Sequence, residues 1–341
     1  MTKMRILVFG HSLCAPRQIR FWRYFTSLGH TVRLLAPRRW MFHEVKDSEE
    51  GSFSVKGVEL FGGLRVRGLL DLVRDFKPDI LYSNEPTYSG GSLQAIQVGK
   101  ELGVKVAVFE WDNVYHTSPL EPKVLENTDI FIPGCQGAKE VLIKKGVPRA
   151  KISEPIPQVG VDTELFRKLD VKKDYDLVYA SGWTVNKGYD LIEKAAKDLN
   201  LRIVWLGAKR PFDIMPKPIE YGNVVGWVAY EELPFYYNKA KLGIVASRDT
   251  KEWLEQFVYF IPECLSCEIS VVATDAGEIP RIWGKCEGIR VVRQNDVDAL
   301  KIGIEKMLNY KGENGRNFVL ENFSYAKIAE KLVKAFGNSW A

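Results

Sequence analysis

One stretch, Leu242 to Ile282, constrains the fold more than any other. It opens with the apolar run Leu242-Gly-Ile-Val-Ala246 and later contains a second, Ile269-Ser-Val-Val-Ala273. Between them lies Glu255-Gln-Phe-Val-Tyr-Phe-Ile-Pro-Glu263. A proline fits a helix only in its first turn, where its missing N–H bonds nothing. Pro262 therefore predicts a helix starting near Phe260, with Glu263 in its first turn and Glu255 in the loop before it. Strand, loop, helix, strand is a parallel crossover unit. In such a unit the loop after the first strand opens on a ligand crevice, and the helix N-terminus there favours a phosphate. A carboxylate beside it accepts hydrogen bonds from the hydroxyls of a sugar or ribose, each contributing roughly 1.5–3 kcal/mol. By itself an E-x7-E spacing also describes two solvated glutamates flanking a buried helix.

The same alternation runs through the rest of the chain. Arg5-Ile-Leu-Val-Phe-Gly10 reads as a strand buried on both faces. A helix is expected over Gln18 to Leu28, then a strand over Thr31 to Ala36. Met41 to Phe61 reads as irregular and charged. Further strands are expected at Asp79 to Tyr82, Val104 to Phe109 and Asn127 to Ile132, with helices between them. Lys168 to Asp176 is a charged connector. Beyond it, strands at Tyr175 to Ala180, Arg202 to Leu206, Val224 to Val228 and Ile289 to Val292 again alternate with helices. At roughly 150 residues per domain, the 341 residues make two domains. We place them at 1–166 and 167–341, with the last helix, Ala326 to Phe336, able to return to the first domain. The fold class is α/β, with two doubly wound Rossmann-like domains.

Composition narrows the function. Five cysteines form no dense framework, which implies free thiols in a reducing compartment. Cys264-Leu-Ser-Cys267 falls inside the predicted helix and has no companion pair, so neither zinc nor redox chemistry is expected there. No apolar run approaches the ~20 residues of a spanning helix, and the N-terminus lacks a signal-peptide layout. A cytoplasmic protein is expected. The net charge is +5, and residues 1–40 hold Arg17, Arg20, Arg23, Arg33, Arg38 and Arg39 with no acidic residue. No nucleic-acid motif accompanies this block. With Trp22, Tyr24 and Trp40 it reads either as a surface for peripheral membrane contact, at about 1 kcal/mol per basic residue, or as a solvated face. His11, a lone histidine at a strand end, reads as structural.

The stretch Glu255 to Pro280, with E-x7-E, Val-Val-Ala-Thr-Asp-Ala-Gly and Ile-Pro, resembles the signature of GT-B glycosyltransferases of the family-4 type. The resemblance is strong from about Gln158 onward, where Gly160-Val-Asp162 to Phe166 matches the family's interdomain linker. It implies two doubly wound domains facing a cleft, the first binding the acceptor and the second a UDP-, GDP- or ADP-sugar. It also implies that Glu255 meets the transferred sugar and Glu263 holds the donor ribose. Lys187, in Lys187-Gly188, would neutralise the diphosphate. Gly182 and Phe257 lie in loops that line the donor in this family, and the backbone around Val225 and Gly226 edges the base. Arg17 stands where the family has a glycine pair near the donor phosphate. Glu-Pro-Thr-Tyr-Ser from Glu85, with Glu110-Trp-Asp-Asn113, is similar to the family's E-P-Y-S and W-E-N. It implies Glu85, Trp111 and Asn113 on the acceptor side and Asp112 against the sugar. The catalytic set is then Glu255, Lys187 and Asp112, with no cofactor and no required metal. The acceptor would be a lipid, a glycan or a small molecule.

The departures are specific. The family's E-G-F-G reads Glu255-Gln-Phe-Val258, Trp183 replaces an expected arginine, and Gly207-Ala-Lys-Arg210 replaces G-x-G. Lys209 or Arg210 is a candidate to stand in for the arginine. These departures keep open a catalytically impaired nucleotide-sugar-binding protein, and the architecture keeps open a nucleotide-sugar epimerase.

Overall fold

The computed structural model describes residues 3–41, 43–207, 218–312 and 315–338; Lys209 and Arg210 lie outside them. The chain divides into two compact units, Met1–Gly160 with Tyr325–Ala341, and Val161–Ser324. The division precedes the one expected after Phe166, for a packing reason. Phe166 is fully buried in the second unit, stacked on Tyr237 with ring centroids 5.9 Å apart. The Val161 N–H donates to the Phe323 carbonyl at 2.8 Å.

The first unit is built on a seven-stranded sheet. From edge to edge its strands are Ile130–Pro133, Lys105–Glu110, Ile80–Ser83, Arg5–Phe9, Thr31–Pro37, Phe53–Val58 and Ser48–Glu50. All pairs are parallel except the last, which is antiparallel. Ile6, Leu7, Val8 and Phe9 are fully buried, as a strand covered on both faces requires. Met41 to Phe61 is not irregular as expected. Phe53–Val58 runs parallel to Thr31–Pro37, with Phe53 opposite Val32 and Val55 opposite Leu34. Its polar residues alternate with buried Phe53, Val55 and Val58, and the edge strand Ser48–Glu50 is wholly exposed. Both therefore look like a charged loop in one dimension.

The second unit carries a six-stranded, all-parallel sheet ordered Asn223–Gly226, Ile203–Leu206, Tyr175–Ala180, Ala240–Val245, Val271–Thr274 and Ile289–Val292. The expected helices form at Tyr189–Asp198, Phe260–Ser266 and Val297–Leu308. Asp296 caps the last by accepting from the Ala299 N–H at 2.9 Å. Among the described residues four short helices that periodicity did not reveal are present at Glu121–Asn127, Leu233–Asn238, Ile279–Trp283 and Arg316–Asn322. All five cysteines are free and buried. Burial holds the Cys264 thiol well above its ordinary value and pushes Cys267 up to about 12, so neither is a thiolate nucleophile at neutral pH.

Each sheet reverses its winding once. In the first unit the chain leaves Arg5–Phe9 toward Thr31–Pro37 and returns on the other side at Ile80–Ser83. In the second it leaves Tyr175–Ala180 toward Ile203–Leu206 and returns at Ala240–Val245. Beyond the carboxyl ends of the two strands flanking such a reversal, the loops diverge and leave a crevice.

Among the described residues no helix is long and apolar enough to cross a membrane. The surface read from residues 17–40 changes in its details. Trp22 is 1% exposed and packs on Phe21, Phe25 and Tyr82, so it cannot meet a lipid. Arg23, Arg33, Arg38 and Arg39 pair with Glu50, Asp75, Asp47 and Glu44. The basic block is thus offset by acids from later segments.

Trp283 closes the aromatic core of the second unit. It is fully buried and lies 4.9 Å from the Phe323 ring and 5.5 Å from Phe257. Trp283→Ala is expected to destabilise this unit by roughly 3–5 kcal/mol, read from the denaturant midpoint. A cost under about 1 kcal/mol would mean that the cluster is loosely packed.

Candidate active site

In the second unit the loop after Tyr175–Ala180 ends in a single 3-10 turn, Val185–Lys187, followed by Gly188 at φ 68°. A side chain at Gly188 would fall on the Ala246 carbonyl oxygen. Only glycine allows this turn to press against the end of the neighbouring strand, which delivers Lys187 to the reversal point. The loop after Ala240–Val245 supplies the partner. Glu255, 4% exposed, pairs with the Lys187 ammonium and accepts from the Ser247 hydroxyl at 3.0 Å. The Trp253 ring lies 4.6 Å from Lys187 Nζ, a cation–π contact.

A second glycine places Glu255. Gly277 has φ 50°, and a Cβ there would stand 2.5 Å from the Glu255 nitrogen. The next residue, Glu278, donates its N–H to the Glu255 carbonyl at 2.9 Å. Asp249 ties the same loop down, accepting from the Gly277 N–H at 2.8 Å and from the Gln294 amide at 3.0 Å. Arg248 clamps it to the Lys187 turn through the Val185 carbonyl and the Asp190 carboxylate, at 3.1 and 2.7 Å. The two glycine motifs thus have one joint result, a lysine and a buried carboxylate meeting at the crevice. A small recess beside them is lined by Tyr179, Ser181, Lys187, Ser247, Glu255 and Phe260.

The other donor-side residues fall as follows. Glu263 sits in the first turn of Phe260–Ser266, 2% exposed, and accepts from the Tyr237 hydroxyl at 3.1 Å. The Phe257 ring packs 4.8 Å from Tyr259 and 5.2 Å from Phe323, so it serves the aromatic core, leaving backbone for any ligand contact. Gly182 offers its carbonyl to the Tyr179 hydroxyl at 2.7 Å. Val225 and Trp227 are 36% and 52% exposed around Gly226, which ends the sheet's outer strand. The Trp183 indole nitrogen is buried and has no hydrogen-bond partner among the described residues. Arg17 lies half-buried in the first turn of the helix Pro16–Thr26 of the first unit.

The acceptor-side residues form a buried polar network in the first unit. Thr87 Oγ1 lies 2.6 Å from Glu110 Oε2 and 2.5 Å from Glu121 Oε1. Glu121 in turn pairs with Lys145 at 2.6 Å. One hydroxyl carries one proton and cannot donate to two carboxylates. Glu110 is fully buried, and burial raises its pKa. A protonated Glu110 would donate to Thr87, leaving the Thr87 proton for Glu121. The other Glu110 oxygen accepts the Asp112 N–H at 2.9 Å, fixing the turn that carries Trp111, Asp112 and Asn113. Burial also raises the Asp112 pKa, against a hydrogen bond from Tyr88. Asp112 Oδ2 is buried with no partner among the described residues, an acceptor open to a ligand hydroxyl. Glu85, fully buried, is bonded to His11. Sequence reasoning missed Ser247, Trp253, Glu121 and Lys145, which stand apart from any motif, and gave no role to Thr87, which lies inside the Glu85-Pro-Thr-Tyr-Ser89 motif. Among the described residues no group of three or more His, Cys, Asp or Glu side chains could hold a metal ion.

Residues 174–310 match the family described as glycosyl transferases group 1. That segment makes up most of the second unit, and the chain as a whole has the GT-B fold. A glycosyltransferase from Rickettsia africae ESF-5 superposes with a TM-score of 0.74 at 15% identity, covering 99% of both chains. The Anabaena protein Alr3699/HepE in complex with UDP-glucose superposes at 0.70 with 14% identity, covering 98% of this chain and 99% of that one. The UDP-GlcNAc 2-epimerase of Methanocaldococcus jannaschii follows at 0.57 and 14%, with 98% and 99% covered. No curated protein sequence matches the chain.

The raised pKa of Glu110 has a thermodynamic signature. Its native pKa is raised, so its contribution to stability is complete below the ordinary carboxylate value and is lost as pH rises through the raised one. Glu110→Gln, neutral throughout, is expected to escape that loss. Its melting temperature relative to wild type should climb as pH increases from about 4.5. A constant difference across pH would mean that folding does not raise the Glu110 pKa.

Proposed function

We propose that the chain is a retaining glycosyltransferase, moving a hexose from a UDP-, GDP- or ADP-sugar to a hydroxyl of a lipid, glycan or small molecule. One observation carries this reading: Lys187 and Glu255 meet at the winding reversal of the unit whose residues 174–310 match the group 1 family. A donor offers each of them a substitute partner. The diphosphate compensates Lys187, and sugar hydroxyls donate to Glu255. Lys187 then stabilises the negative charge that develops on the leaving diphosphate, and Glu255 orients the sugar at its anomeric centre. This chemistry needs no metal, because the lysine supplies the positive charge. Glu263 holds the ribose, and the backbone at Val225 and Gly226, with Gly182 and Phe257, borders the nucleotide. Arg17 adds positive charge for the diphosphate. The first unit binds the acceptor through Glu85, Trp111 and Asn113, and the open Asp112 oxygen takes a sugar hydroxyl. A lipid acceptor would be met at the cytoplasmic face of a membrane, through the basic residues of 17–40.

Two other readings keep the nucleotide sugar. The epimerase likeness favours isomerisation at one sugar carbon, and Trp183 in place of an arginine favours binding without turnover. Calorimetry with UDP-, GDP- and ADP-glucose, followed by chromatography of the sugar products, separates the three. Transfer or hydrolysis supports the proposal, isomerisation supports the epimerase, and binding alone supports the impaired protein. UDP-glucose is the first donor to try, since the Anabaena relative was crystallised with it.

Variants test the assigned roles. Lys187→Ala is expected to weaken nucleotide-sugar binding by about tenfold or more, the equivalent of one lost charge-assisted bond. Glu255→Gln should lower kcat by on the order of a hundredfold with binding altered only a few-fold, since the role assigned is orientation. Equal loss of binding and turnover in Glu255→Ala would refute that role.

A further inference from the structure

A cavity of about 550 Å³ opens in the first unit between the segment after Lys105–Glu110, the helix Glu121–Asn127 and the end of the helix Gln136–Lys144. Two charged side chains in its wall are almost fully buried, Glu121 at 5% exposed and Lys145 at 3%. They pair at 2.6 Å through Glu121 Oε1, which also lies 2.5 Å from the Thr87 hydroxyl. The second oxygen, Glu121 Oε2, has no hydrogen-bond partner among the described residues. The Lys145 ammonium has three protons to give. It spends one on Glu121 and makes no other hydrogen bond among the described residues.

A carboxylate oxygen and an ammonium side by side, both withdrawn from water, are costly to leave without further partners. Two neighbouring hydroxyls satisfy both, one donating to Oε2 and the other accepting from Nζ. The charges lining the cavity point to a neutral ligand. Glu121 and Glu126 balance Lys145 and Lys151, and Lys151 already donates to the Glu126 and Thr128 carbonyls, both at 3.0 Å. An anion would meet Glu121, and a cation would meet Lys145. Tyr115 adds an aromatic wall that is 44% exposed. Lys144 and Lys145 steady its ring, with Nζ 4.7 and 5.7 Å from the centroid. Leu125 and Val147 supply further apolar surface. One donor–acceptor pair beside an aromatic face matches a sugar ring, which is apolar on its C–H faces and carries adjacent hydroxyls on its edge.

We propose that this cavity binds a neutral sugar ring, with Glu121 and Lys145 holding two of its adjacent hydroxyls. The proposal rests on the glycosyl-transfer reading and names its acceptor class, a glycan anchored to the first unit by this ring. The site lies wholly within that unit. It also joins residues already assigned to the acceptor. Glu121 connects through Thr87 and Glu110 to the Asp112 N–H. Burial is the main influence on the Asp112 pKa, and Lys145 and Glu121 act on it as well, as charges do over a short range.

A glycan array of neutral and anionic saccharides, probed with the intact protein, tests the site. Retention of neutral glycans is expected. Tyr115→Ala should weaken that binding about fivefold, and Glu121→Gln about tenfold or more. Melting temperatures are read alongside, because Glu121 belongs to a buried network. Should Glu121→Gln fail to fold, Tyr115→Ala, at an exposed position, decides. No retained glycan, retention of anionic glycans alone, or unchanged affinity in either folded variant overturns the proposal. A retained glycan is then offered to the wild-type protein with UDP-, GDP- and ADP-glucose. An extended glycan supports the acceptor role, and donor hydrolysis that leaves the glycan unextended overturns it while the transfer reading stands. If no donor is bound or consumed, the transfer reading itself fails and the acceptor role with it, whereas the array still decides whether the cavity takes a sugar.

Discussion

A parallel sheet that reverses its winding must send two loops away from each other at the carboxyl ends of neighbouring strands. The candidate site of the second unit and the buried ion pair of the first both depend on that divergence. In both units a basic side chain from one loop meets a buried carboxylate from the other, Lys187 with Glu255 and His11 with Glu85. A carboxylate taken out of water needs a partner nearby, because its burial is otherwise worth several kcal/mol against folding. The basic group is the more exposed member in each case. Lysine offers a compact fixed charge suited to a phosphate, and histidine offers a lone pair and a movable proton. One topological device thus holds two pairs of different kind.

Holding these pairs takes more than the pairs themselves. In the second unit Gly188 and Gly277 permit backbone approaches that any side chain would block. Arg248 and Asp249 then bind the loops to one another. In the first unit the chain Glu110–Thr87–Glu121–Lys145 is satisfied throughout if Glu110 keeps its proton. Such a network is rigid because any misalignment leaves a buried polar group unpaired. It fixes the turn that bears Trp111 and Asp112, so the open oxygen of Asp112 is held in place before any ligand arrives.

Much of the fold was legible because parallel strands buried on both faces read as apolar runs. Leu7, Val178 and Val272 each lie in such a run and are fully buried. Phe53–Val58 was hidden because its apolar residues alternate with polar ones near a solvated edge. Trp22 was misjudged as exposed because its neighbours Arg20 and Arg23 suggested a polar face, whereas the sheet and the C-terminal helix claim that side of the helix. Glu255 and Lys187 were legible through their motifs. His11 carried no motif, and its partner Glu85 is 74 positions away.

The sequence by itself determined the alternation of strand and helix, the helix start imposed by Pro262, and the two loops in which Lys187 and Glu255 lie. These are local matters, settled by burial pattern and backbone chemistry over a few residues. Only the tertiary structure decided which loops became neighbours, which carboxyls were buried together and which histidine found a buried acid. Strand order sets those outcomes, and strand order follows from how distant segments share one core.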